Sequence, residues 1–327
     1  MKALFSKITK RIKMTFVKFK TDCNFSVRYA FLRIKDELGG RIGFKKISKK
    51  AHDKKDVWIS KYLKNNLSNV IQQYKNDTDL GTNDNNSPIW ICWWTGEDTA
   101  PTIVKQCIKS IKSNSGSRTV KFIDKNSYSK YISVPDYMLK KAECGDMCLA
   151  HLCDYIRIAL IEKYGGLWLD STIFCADVVP AEYFNIPFFT CKSEYQPDFH
   201  YLSKLRWTTF VLGGWKGNLF YRFLKSMLEE YWKKEKYAID YLFFDHLIEL
   251  AYNEIPAIRK LIDDVPINNL HRDDLQAAMN DALPASEFDN ILQSDTVLYK
   301  LSWRETYALS TFDGTDSVYA YFLKLKM

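Results

Sequence analysis

The sequence predicts an open α/β sheet covered by helices, and three observations carry that expectation. A continuous apolar run, Ile89-Trp90-Ile91-Cys92-Trp93-Trp94, stops at Thr95-Gly96, as a strand buried on both faces does. Residues 101–113 then show a helical pattern with Pro101 at its start, a position where a missing N–H costs nothing. Residues 119–123 read as a second strand, and strand, helix, strand in succession is the signature of a sheet with crossover helices. At 327 residues and 46% hydrophobic side chains, the chain can bury the core that such a fold needs.

The remaining elements follow the same two periodicities. Apolar runs at 167–169, 186–191, 208–212 and 296–301 supply further strands, and helical patterns cover 136–142, 146–163, 217–234, 240–252 and 257–263. In open sheets of this class ligands bind beyond the carboxyl ends of the strands. No internal repeat is visible.

The net charge of +8 hides an asymmetry. Residues 1–65 carry 19 Lys and Arg against 5 Asp and Glu, so the remainder of the chain is acidic on balance. Within the basic segment Met1, Leu4, Phe5, Ile8, Ile12, Phe16 and Phe19 recur at spacings of three and four, one face of a helix, while Lys7, Lys10, Arg11, Lys13 and Lys18 lie mostly off it. Such a helix suits an anionic membrane surface, apolar side down; packing of that face on the protein itself is the alternative. No recognised nucleic-acid motif accompanies the charge, so no nucleic acid is expected. Residues 76–88, rich in Asn, Asp and Gly and closed by Pro88, read as a linker. The expected organisation is therefore a basic helical region at 1–75, a linker at 76–88 and an α/β domain at 89–327.

No stretch of 18 residues lacks a charge, so none reads as a bilayer span, and no secretory cleavage pattern stands near the N-terminus. The expected location is cytoplasmic, peripheral at the inner face of the plasma membrane. The eight cysteines are scattered without the paired spacings that zinc requires, and are read as reduced thiols.

The stretch 146–177 carries the chemistry. Its helix, 146–163, is apolar on most sides, yet Asp154 and Arg157 stand three residues apart on one surface of it. Charges placed there need partners or a polar cleft. They form either a simple salt bridge or a pair that grips the hydroxyls of a ligand. Tyr164-Gly165-Gly166 stops the helix through glycine's access to the left-handed conformation. Leu167-Trp168-Leu169 is then a short buried strand that delivers Asp170 at its carboxyl end.

The run Cys153-Asp154-Tyr155-Ile156-Arg157, six residues, then Tyr164-Gly165-Gly166-Leu167-Trp168-Leu169-Asp170-Ser171-Thr172 resembles the capsular polysaccharide synthesis proteins related to glycosyltransferase family 32. The similarity extends from about Ile89 through this core, residues 207–218, 241–245 and 265–269, to Leu301-Ser302-Trp303. The resemblance implies a GT-A type nucleotide-sugar-binding sheet in which Asp154 and Arg157 hold donor-sugar hydroxyls and Asp170 opens the metal and diphosphate motif. It implies that Trp168 matches the aromatic two residues before that aspartate, that Trp90 or Trp94 lies near the nucleotide base, and that Ser302 and Trp303 lie near the diphosphate. The implied reaction moves a hexosyl unit from UDP- or GDP-hexose to a lipid-linked saccharide acceptor, with retention, in capsular or other surface polysaccharide synthesis. The implied cofactor is a divalent cation, Mn or Mg, at Asp170.

Thr172 departs from the usual Asp-x-Asp pattern. A divalent cation prefers several oxygen ligands, so one charged ligand suggests weak binding. Lys300, two residues before Ser302, can offset part of the diphosphate charge. Three other readings stand beside the transferase: a glycoside hydrolase, which needs an acid and a second carboxylate flanking the bond, a sugar-phosphate transferase of capsule synthesis, which releases a nucleoside monophosphate, and a non-catalytic membrane-surface scaffold.

Overall fold

The computed structural model describes residues 15, 17–41, 45–199, 201–282, 285–292 and 294–325. Most of the proposed membrane-facing stripe, Met1, Leu4, Phe5, Ile8, Ile12 and Phe16, lies outside the described residues. Residues 17–23 are helical, and Phe19 meets Phe31 edge-on at 5.4 Å.

Helices α1 (Val27–Arg41), α2 (Lys45–Asn66) and α3 (Ser68–Tyr74) lead to strand β1 (Ile89–Cys92), helix α4 (Thr102–Ser113) and strand β2 (Val120–Ile123). Next come α5 (Asp136–Glu143), α6 (Leu149–Tyr164), β3 (Gly166–Leu169), β4 (Ile173–Cys175), β5 (Phe188–Thr190) and β6 (Val211–Gly214). The chain continues through α7 (Leu219–Lys234), α8 (Phe243–Glu254), α9 (Pro256–Asp264), α10 (Asp274–Ala278), α11 (Ala285–Leu292), β7 (Leu298–Lys300) and α12 (Val318–Lys324).

Among the described residues five strands form one sheet, in the order β2-β1-β3-β6-β5. Strand β1 runs parallel to β2 and β3, whereas β6 is antiparallel to both β3 and β5. The sheet is thus mixed, with helices on both faces. One face packs Trp90, Trp168 and Leu212 against α6, α7 and α8; the other packs Ile89, Ile91, Leu167 and Leu169 against α4, α12 and the small β4–β7 sheet. A short strand alternates its side chains between faces, and each face here finds an apolar layer to bury.

Where the elements depart from expectation, packing is the reason. The expected strand at 208–212 is displaced to Val211–Gly214, because Thr208 is tied by hydrogen bonds to the Thr190 hydroxyl (2.9 Å for its N–H) and leaves the ladder. Gly214 weakens the local strand signal, yet a Cβ there would lie 2.6 Å from the Pro187 carbonyl oxygen. Strand β4 and helices α10, α11 and α12 are too short to announce themselves by periodicity.

Helix α6 ends at Gly165, with φ +69°, and Gly166 follows at φ +99°. A Cβ on Gly166 would stand 2.1 Å from the Pro88 carbonyl oxygen, the atom that accepts the Leu167 N–H at 3.0 Å as β3 joins β1. The two glycines therefore do separate work: one stops the helix and the other lets two backbones touch.

The helices before residue 75 share the core with the rest of the chain. Trp58 stacks between Tyr29 (4.8 Å) and Tyr62 (5.2 Å), and Ile59, Leu63 and Leu67 are buried in the cluster that holds α7 and α8. The Tyr29 hydroxyl donates to the Ile239 carbonyl, and Lys55 donates to Asp240 at 3.4 Å. The stretch 76–88 is irregular but pinned, with Asp77 bound to Arg222 at 2.8 Å and the Thr82 N–H to the Lys216 carbonyl at 2.9 Å. All eight cysteines are free; Cys92, Cys107, Cys175 and Cys191 are buried, and Cys144 and Cys148 are exposed.

Candidate active site

A cleft of about 700 Å³ opens beyond the carboxyl ends of β1 and β3. Its walls come from Cys92 to Thr95 after β1, from α6, from residues 170–172 after β3, from the 241–245 segment and from residues 300–304. Helix α6 begins at the mouth of the cleft, where Leu149 in its first turn is exposed.

Arg157 is the hub. Its Nη1 lies 3.5 Å from Asp154 and also donates to the Thr209 carbonyl, while its Nη2 lies 3.2 Å from Asp170 Oδ1. The guanidinium sits over the Trp168 ring at 5.0 Å and faces the Phe244 ring at 5.8 Å. The pair Asp154 and Arg157 is thus an ion pair that also forms part of the cleft wall. Burial pushes the Asp154 carboxyl above its ordinary range, against the opposing pull of Arg157 and His151.

Asp170 accepts on both oxygens. Trp168 Nε1 donates to Oδ1 at 2.8 Å, alongside Arg157, and Lys300 Nζ reaches Oδ2 at 3.4 Å. The same ammonium donates to the Thr172 hydroxyl at 2.5 Å. This convergence follows from the antiparallel pairing of β4 with β7, whose register sets Lys300 opposite Ile173. The donor set does not fit a divalent cation: the one carboxylate of the motif is spent on two cations and an indole. Among the described residues no cluster of three or more His, Cys, Asp or Glu side chains could hold an ion.

Of the sequence-assigned residues, Asp154, Arg157, Trp168, Asp170, Lys300, Ser302, Trp303 and Trp94 all line the cleft. Trp94 stacks on Tyr128 at 5.5 Å, and Trp303, 42% exposed, meets Trp93 edge-on at 5.6 Å. Trp90 is the exception. It is 1% exposed and donates its indole N–H to the Gly165 carbonyl at 3.0 Å, a core residue in mid-strand, two positions short of the strand end where the cleft begins. Asp177 is not among the lining residues; it caps the Val178 N–H at 2.6 Å.

Asp245 was passed over, although it stands in the apolar run Phe243 to Leu247 as Asp154 stands in its own helix, and the same criterion finds both. Its carboxylate accepts from Trp207 Nε1 at 3.0 Å, and burial, which outweighs that bond, pushes its pKa up to about 6. Between pH about 4 and about 6 the folded protein keeps a proton that the unfolded chain has released. Stability therefore falls as pH rises through that window and is flat above it, as far as this group is concerned. Asp245→Asn, which keeps the acceptor for Trp207, is expected to raise the melting temperature relative to the parent at pH 7 and to lose that advantage near pH 4. Parallel melting curves from pH 4 to 8 check it, and a difference that does not change with pH contradicts it. Arg304, Tyr241, Asp273 and Gln276 also line the cleft and carried no local signal. Two buried donors at its wall, Arg157 Nε and Trp93 Nε1, have no hydrogen-bond partner among the described residues.

A family model described as capsular polysaccharide synthesis protein matches residues 40–322. The match begins well before Ile89, where the sequence resemblance starts, and takes in α2 and α3 with the whole cleft. No curated protein and no solved structure matches the chain.

Proposed function

The chain belongs to the capsular polysaccharide synthesis protein family, and from that premise we propose that it is a glycosyltransferase of GT-A type, moving a hexosyl unit from a nucleotide sugar to a lipid-linked saccharide. The observation that carries the proposal is the cleft beyond β1 and β3, in which Asp154, Arg157 and Asp170 converge on one another. Asp154 accepts from donor-sugar hydroxyls, and Arg157, fixed by its two carboxylates and by Trp168, donates to them from the cleft wall. Trp94 and Trp303 offer faces at the rim for the base and the diphosphate. UDP- and GDP-hexoses are the donors the family resemblance favours.

In the reaction the anomeric C–O bond to the diphosphate breaks, the acceptor oxygen bonds to that carbon, and the acceptor proton passes to the departing phosphate. Positive charge develops on the sugar ring beside Asp154 and Asp170, and negative charge develops on the leaving group. Preorganised charges at both ends lower the barrier without reorganising in the event. A route of this kind on one face of the sugar needs no protein nucleophile and retains configuration.

Thermal-shift screening against a panel of nucleotide sugars, followed by assay of the released nucleotide, tests the proposal. Release of nucleoside diphosphate with glycosyl transfer is expected. Release of nucleoside monophosphate would replace the reading by a sugar-phosphate transferase, and no turnover of any donor by a scaffold. Asp154→Asn is expected to weaken nucleotide-sugar binding about tenfold or more, the worth of one charge-assisted hydrogen bond, while leaving the bare nucleoside diphosphate within about threefold. Equal losses for the two ligands would leave Asp154 with only its ion pair to Arg157.

The acceptor reading places the protein at an anionic bilayer. Among the described residues no helix is long and apolar enough to cross a membrane; the attachment proposed is through the basic N-terminal segment. Residues 1–14 hold five Lys and Arg and no acid, each basic side chain contributing about 1 kcal/mol near such a surface. Removal of residues 1–14 is expected to release the protein from anionic vesicles at moderate salt and to leave donor hydrolysis unchanged. A shortened protein that still sediments with the vesicles overturns the anchor.

A further inference from the structure

A departing nucleoside diphosphate concentrates negative charge on its terminal phosphate, and the protein must supply an opposing charge at that point. A divalent cation supplies it where two carboxylates are free to hold the ion. Here the carboxylates are committed. Asp170 Oδ1 receives Trp168 and Arg157, Asp170 Oδ2 receives Lys300, Asp154 is paired with Arg157, Asp245 receives Trp207, and Asp273 receives Arg272 Nε at 3.3 Å.

We infer that the Lys300 ammonium takes the place of a divalent cation, and that the cleft binds the diphosphate of its nucleotide without metal; the inference rests on the glycosyltransferase reading. Lys300 Nζ sits between the first and third side chains of the motif, 3.4 Å from Asp170 Oδ2 and 2.5 Å from the Thr172 hydroxyl. An ammonium has three N–H donors, and these contacts use two, which leaves one for a phosphate oxygen in the cleft that Lys300 lines. The Phe210 ring, 5.1 Å from the ammonium, closes one flank.

Thr172 takes a different meaning in this arrangement. A second aspartate would draw Lys300 into a tight ion pair and cancel its charge. The threonine hydroxyl accepts one N–H, neutralises nothing, and so orients the ammonium while leaving its charge for the ligand. Asp170 fixes the cation and shares its other oxygen with Arg157, so its charge is divided between two cations. Arg304, stacked on Trp303 at 5.0 Å on the cleft rim, adds a second cation from the same segment.

Calorimetric titration of the full chain with the diphosphates of uridine, guanosine, adenosine, cytidine and thymidine, in EDTA and again with millimolar Mn²⁺ or Mg²⁺, tests the inference. At least one diphosphate is expected to bind in EDTA, with an affinity within threefold of that in either cation. Lys300→Met should weaken that diphosphate at least tenfold in EDTA and the matching monophosphate less than threefold, and Lys300→Arg should recover most of the loss. A tenfold or greater gain on adding a cation overturns the metal-free site and leaves the transferase reading standing. Undiminished diphosphate binding by Lys300→Met, in a protein that melts like the parent, also overturns it. Failure of all five diphosphates to bind in either condition removes both the inference and the transferase reading.

Discussion

Asp170→Asn is expected to lower glycosyl transfer by about 10²- to 10³-fold, the usual cost of removing one preorganised charge from a reacting centre. The side chain keeps its shape, and an amide oxygen can still accept from Trp168 Nε1. What is lost is the charge that fixes Arg157 from one side and Lys300 from the other. The two cations then face each other with no negative charge between them, so on the proposed reading both the sugar grip and the diphosphate contact loosen together. Stability should suffer little, because Asp154 still pairs with Arg157 and Asp170 is 29% exposed. A loss of about 1 kcal/mol corresponds to a fall of a few degrees in melting temperature. Initial rates with a saturating donor, read beside a melting curve, check both halves. Full activity in a well-folded variant would take Asp170 out of the chemistry.

Gly166→Ala is expected to have the largest effect on stability. The residue holds φ +99°, which L side chains rarely adopt, and the added methyl would overlap the Pro88 carbonyl oxygen at 2.1 Å. That oxygen is backbone, held by the Leu167 N–H, and Pro88 leads directly into β1. Relief requires β3 to move away from β1, which opens the centre of the sheet. A cost above about 4 kcal/mol follows, with a melting temperature lower by about 6 °C or more, or failure to accumulate as soluble protein. Gly217→Ala is the control: it shares a positive φ of +71° but has nothing within 4 Å of the new methyl, so about 1 kcal/mol is expected. Equal melting temperatures for the two variants would mean that the close approach at Pro88 is not a constraint.

Much of this architecture was legible because local pattern and final packing agree. Residues 89–94, 101–113, 119–123 and 146–163 each became the element their periodicity indicated, within a few residues. Asp154, Arg157 and Asp170 could be singled out because a charge in an apolar helix, or at the end of a buried strand, needs a reason to be there. Trp90 misled because an aromatic near a strand end looks the same whether it faces a ligand or the core, and only the register of β1 against β3 decides which. Lys300 lay at the opposite limit. Nothing near it in the chain hints at Thr172, since their contact depends on the pairing of β4 with β7. The region before residue 75 was read from its basic charge and from an apolar stripe that ends at Phe19, which missed the aromatic stack of Tyr29, Trp58 and Tyr62 further along.

The β4–β7 ladder also orders events in time. Local units such as α6 with β3 can form as soon as they leave the ribosome, whereas closing a long loop carries an entropic cost that nothing repays until the far strand arrives. Asp170 and Thr172 are synthesised early, but their cation comes only when residue 300 has emerged and β7 docks against β4. A nascent chain thus carries Asp154, Arg157 and Asp170, the proposed sugar contacts, well before Lys300, the proposed phosphate contact. Ribosome-bound chains arrested before β7 should therefore be translated, compact and unable to hold a nucleoside diphosphate, and ligand binding becomes a marker of finished synthesis.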